Sequence, residues 1–117
     1  MNRSIVVALA ACLSMGVSAA AQDPVAKGAK EDLVAKGAKV YAAQKCQLCH
    51  SIGDKGNKKG PLDHVGTKLK ADEISLWMTD AKAMTEKTKS TRKPLMKSYK
   101  LPKEELDALV AYMLSLK

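Results

Sequence analysis

The sequence predicts an all-α fold. Four segments carry helical signals, and no stretch alternates apolar and polar residues over strand length.

The first segment starts at Asp23-Pro24, with Asp as a helix N-cap and Pro at the first helical position. A firmer helix follows over 31–44, where Leu33, Gly37, Val40 and Tyr41 fall on one face and Glu31 and Asp32 suit the positive end. Gly37 in mid-helix costs about 1 kcal/mol relative to Ala, a cost that close approach of another helix would explain. Val-Ala-Lys-Gly-Ala-Lys occurs at 25–30 and again at 34–39, but a period of nine matches no solenoid repeat and reads as local duplication. Residues 51–59 are polar and Gly-rich and read as a loop, which Gly60-Pro61 continues. A short helix is expected over 71–81, with Asp72 and Glu73 in its first turn and Ile74, Trp77, Met78 and Ala81 at helical spacing. The stretch 80–100 shows neither period and reads as a long surface loop, of the kind that is usually functional. Pro102 then opens a last helix over 103–116, striped by Leu106, Leu109, Val110, Met113 and Leu116.

Between the first helix and the polar loop stands Cys46-Gln47-Leu48-Cys49-His50. Two thiols three positions apart can both bond to the vinyl groups of one haem, and an imidazole directly after the second is placed to ligate its iron. A thioredoxin-like couple would want a βαβ setting. A zinc site would want a second ligand pair, and His64 is the one other His. The motif therefore implies one covalent haem c, attached at Cys46 and Cys49 with His50 on the iron.

Such chemistry belongs outside a reducing cytosol. The sequence opens with a short basic region to Arg3, an apolar run over 4–17, and Ala19-Ala20-Ala21, the pattern of a secretory signal cleaved after Ala21. The run is shorter than the roughly 20 residues a membrane span needs. The expected organisation is a signal peptide over 1–21 and a haem domain over 22–117, exported to the periplasm or beyond. Leu9-Ala10-Ala11-Cys12 also resembles a lipoprotein signal, so a lipid anchor through Cys12 is the alternative.

Removal of residues 1–21 would leave 96 of the 117 residues and, with Arg3 gone, a net charge of +7 in place of +8. An anionic membrane or an acidic protein partner suits such a domain. Nucleic acid suits it poorly, because the chain has no Phe, one Trp and three Tyr to stack on bases. The same scarcity leaves a thin core, which a buried porphyrin would complete.

A His-ligated iron can stay open for chemistry or be closed by a second side chain. Met78 and Met113 fall on apolar stripes and read as core. Met84 and Met96 fall in the stretch 80–100, which is rich in Lys, and Pro94 restricts the backbone just before Met96; His64 is a further candidate. Spacing alone leaves Met84 and Met96 both open.

From about Asp32 onward the chain resembles the class I cytochromes c. The resemblance rests on Gly37 and Tyr41 before Cys46-x-x-Cys49-His50, on Gly60-Pro61, Trp77 and Pro94-Leu95-Met96-x-x-Tyr99, and on Leu106-x-x-Leu109-Val110-x-Tyr112-Met113. It departs in having Leu62 directly after Pro61 and His64 where the family has Gly. The resemblance implies a small cytochrome c-like fold, with haem in the core and the terminal helices crossing so that Gly37 and Tyr41 meet Leu109 and Tyr112. It makes His50 and Met96 the two iron ligands, gives Pro61 a backbone carbonyl for the His50 ring N–H, and puts Trp77 near a propionate. The function it implies is one-electron transfer by a bacterial, monomeric carrier with redox protein partners, no small-molecule substrate and no enzymatic activity of its own; the signal sequence makes it exported, and seven cations against two acids over 80–100, around Met96, point to partners with acidic docking surfaces. A subunit or tethered module of a larger redox complex is the alternative, and an open-site haem sensor or peroxidase-like enzyme a more distant one.

Overall fold

The computed structural model describes residues 24–117, with side chains from Lys27 onward. The expected signal peptide, Cys12 and the Asp23 cap lie outside the described residues. Helix α1 runs Pro24–Ala43, so the two N-terminal helical signals belong to one element. Its end leads through Lys45, in the left-handed region at φ 55°, into a single 3-10 turn over Cys46–Leu48. The polar loop holds a two-residue antiparallel pair, β1 (Ser51–Ile52) with β2 (Lys55–Gly56), in register Ser51 to Gly56 and Ile52 to Lys55. Helix α2 (Val65–Lys68) is one turn. Helices α3 (Ala71–Thr79), α4 (Ala81–Thr88) and α5 (Lys103–Ser115) complete the order. Among the described residues no helix is long and apolar enough to cross a membrane.

The terminal helices α1 and α5 pack against each other. Gly37 sits at the closest point, where an added Cβ would strike the Ala108 carbonyl and come 2.6 Å from Tyr112 Cβ. Absence of a side chain there is what lets the backbones meet. One turn on, Tyr41 and Tyr112 stack edge to face, with ring centroids 5.8 Å apart and planes at 67°. Val40, Tyr41, Ile74, Met78, Leu109 and Met113 form the buried cluster, so α3 supplies the third wall.

The long loop expected over 80–100 is corrected by α4. Asp80 accepts a hydrogen bond from the Ala83 N–H at 3.1 Å and caps the helix, and Lys89 ends it in the left-handed region. Only Ala81 and Met84 anchor the helix inward, and its lysines point to solvent. Met84, read as a loop residue, is 3% exposed. The irregular segment begins at Lys89 and runs to Pro102. Met78 and Met113 are core, as their stripes indicate.

Candidate functional site

The 3-10 turn folds the Cys-x-x-Cys-His stretch back on itself: Cys49 N–H and His50 N–H both donate to the Cys46 carbonyl, at 3.1 and 2.9 Å. Both thiols and the imidazole thereby reach one cavity of about 530 Å³, within the range of small-molecule and cofactor sites. Leu62, Val65, Leu69, Ile74, Leu109 and Met113 make much of the wall apolar. Trp77 and Tyr41 also line it, as do Met96 and Tyr99 from the irregular segment. His64 and Met84 do not; His64 is an exposed residue before α2, in the left-handed region at φ 61° that glycine favours.

His50 Nδ1 lies 3.0 Å from the Gly60 carbonyl oxygen. A carbonyl only accepts, so Nδ1 carries the hydrogen and the Nε2 lone pair is free for a metal. Burial, joined by the Arg92 guanidinium, pushes the His50 pKa below its usual value, while the Gly60 bond opposes them. The ring is therefore neutral at pH 7, as ligation requires. The expected carbonyl of Pro61 is corrected here. Gly60 supplies the acceptor, because the strand-like path of Ser51 against residues 60–62 turns that carbonyl inward: Ser51 N–H also donates to it at 3.1 Å, and Leu62 N–H donates back to Ser51 at 2.8 Å. Pro61 itself is exposed and outside the cavity wall.

Burial raises the Cys46 thiol pKa. Tyr41 is pushed up to about 12, by burial first and then by Cys46 and Tyr112, and its buried hydroxyl has no hydrogen-bond partner among the described residues. Tyr99 is raised by burial as well; its N–H donates to the Met78 carbonyl at 2.7 Å, and Lys97 Nζ sits 5.1 Å from its ring centroid. No three His, Cys, Asp or Glu side chains cluster to hold a bare metal ion among the described residues. The donor set instead fits a haem: two thiols, a neutral imidazole with Nε2 free, and a thioether around an apolar cavity.

Sequence reasoning missed Arg92 as a site residue. It lines the cavity, donates to the Cys49 carbonyl and lies against Gly60. Its one mark in the sequence is that it is an arginine where the surrounding cations are lysines.

No curated protein matches the chain, and no solved structure does. The family model for cytochrome c matches residues 34–117, from the middle of α1 through the end of α5. With that match spanning the thiols, the imidazole and every wall of the cavity, the chain belongs to the cytochrome c family, whose cofactor is covalent haem c.

Proposed function

We propose that this haem-based electron carrier is an exported, monomeric shuttle whose haem is bonded to Cys46 and Cys49 and closed by His50 and Met96. The observation that carries the reading is the His50–Gly60 hydrogen bond, which leaves Nε2 free in the same cavity that Met96 lines. Bound haem supplies the one-electron couple. The protein supplies the rest. Gly60 fixes the ring and tautomer of His50, the apolar wall excludes water, and the Met96 thioether would hold the bound iron closed to substrate. A thioether favours the reduced state, so the potential is raised relative to bis-histidine ligation. Trp77, half-buried on the wall, is the residue assigned to a propionate.

The cations of residues 82–100 support an acidic partner. Lys82, Lys87, Lys89, Lys93, Lys97 and Lys100 are exposed, and the three ion pairs among the described residues involve none of them. Free positive charge beside the Met96 segment would steer a negatively charged redox protein to that edge. Spectroelectrochemistry of the holoprotein tests the reading. A Met-to-ferric-iron absorption band together with a raised potential is expected, and a spectrum of open or bis-histidine iron would overturn it.

A further inference from the structure

Among the described residues, the stretch from Thr91 to Lys97 makes no backbone-to-backbone hydrogen bond, although it carries Met96. Its ends are tied: Ser90 N–H donates to Thr85, the Ser98 hydroxyl accepts from Ala81 N–H at 3.0 Å, and Tyr99 N–H donates to Met78. Within it, one cavity-lining side chain reaches the Cys49–His50 turn. The Arg92 guanidinium donates to the carbonyl of Cys49, the residue directly before His50. It also rests on Gly60, where any added Cβ would run into Nη1, Nη2 and Cζ. Gly60 is in turn the residue that orients His50.

We propose that Arg92 is a positioning residue that seats the Met96 segment against the Cys49–His50 turn, coupling the two axial-ligand segments through one side chain. The inference rests on His50 and Met96 being the ligands. An irregular segment without its own hydrogen-bond ladder opens readily. A planar guanidinium, with donors spread over three nitrogens, can hold the Cys49 carbonyl while its forked end abuts Gly60. An ammonium is a point charge and cannot do both. If Arg92 were one more steering cation, the residue beside it would serve equally well.

The test compares Arg92→Gln, Arg92→Lys and Lys93→Gln ferric holoproteins, with imidazole as a competing iron ligand. Arg92→Gln and Lys93→Gln each lose one positive charge from adjacent positions. Imidazole affinity is expected to rise at least tenfold in Arg92→Gln and less in Arg92→Lys, with Lys93→Gln at the level of the unmodified protein. In the ferrous unmodified holoprotein, Arg92 guanidinium protons are expected to exchange slowly and show proximity to the Gly60 α-protons; this holds the inference open to refutation even where a variant fails to keep haem. Equal affinities in Arg92→Gln and Lys93→Gln, or freely exchanging guanidinium protons, would overturn the inference alone. Absence of the Met–iron band from the unmodified protein would overturn the ligand assignment and the inference together.

Discussion

His50 donates through Nδ1 to the carbonyl oxygen of Gly60, ten residues along the chain and 3.0 Å away. That bond selects one tautomer and one ring orientation before any metal is considered. It depends on the backbone of a buried glycine rather than on any side chain, so its strength is set by the path of residues 60–62 against Ser51.

Attachment at two thiols predicts that Cys46→Ala or Cys49→Ala leaves at most one thioether bond. Intact-protein mass spectrometry under denaturing conditions checks this, and an unmodified protein that loses its haem on denaturation would refute covalent attachment.

The two methionines outside the core stripes separate cleanly. Met96→Ala is expected to abolish the Met–iron band and lower the potential while the fold survives. Met84→Ala should leave band and potential near wild type yet cost about 2–4 kcal/mol, because a side chain only 3% exposed is removed. Loss of the band in Met84→Ala would reverse the assignment.

At Gly37 two effects oppose each other. Ala would gain about 1 kcal/mol of helix propensity, but any Cβ meets the Ala108 backbone, and overpacking typically costs about 1–3 kcal/mol. Gly37→Val has poorer propensity and more bulk, so a net loss of roughly 1–3 kcal/mol is expected in chemical denaturation of the holoprotein. An unchanged midpoint would mean the helices do not meet there.

Tyr41 buries a hydroxyl without a partner, so Tyr41→Phe should be neutral or stabilising by about 1 kcal/mol. The folded pKa of about 12 lies above the ordinary tyrosine value of about 10, so this group's contribution is fully present below pH 10 and is lost as pH rises toward 12. The Phe variant should accordingly show a shallower alkaline decline across that window. A loss of stability at pH 7 on Tyr41→Phe would show that the hydroxyl has a partner in the holoprotein.

Lys93→Glu with Lys97→Glu should slow association with an acidic redox partner at low ionic strength and matter little at 1 M salt, where the Debye length is about 3 Å. Stopped-flow rates insensitive to both salt and charge reversal would remove the docking face.

The helices that wall the cavity were legible because each buries a stripe at helical spacing; Leu109 and Met113 in α5 repeat every four residues, and Ile74 and Met78 in α3 do the same. The thiols and His50 were legible from chemistry alone. Helix α4 was not, since two buried residues in eight are too few to set a period, although Asp80 ahead of Ala81 was a usable N-cap signal. The β1–β2 pair has two residues per strand, below what alternation can reveal. Gly60 and Arg92 were hidden for another reason. A backbone carbonyl leaves no mark in a side-chain pattern, and an arginine among lysines acquires its place only when the chain path brings it to Cys49.

The meeting of Gly37 with Ala108 joins positions 71 residues apart, and α5 brings Leu109 and Met113 to the cavity wall with it. Closing so long a loop is entropically costly and slow compared with forming α1 or the turn at Cys46. The turn that presents the thiols closes on its own backbone, so its formation needs no contact from α5 and can precede that helix's docking. An undocked α5 would leave that side of the cavity open to a porphyrin, and its arrival completes the apolar wall through Leu109 and Met113 while Cys49 stays exposed.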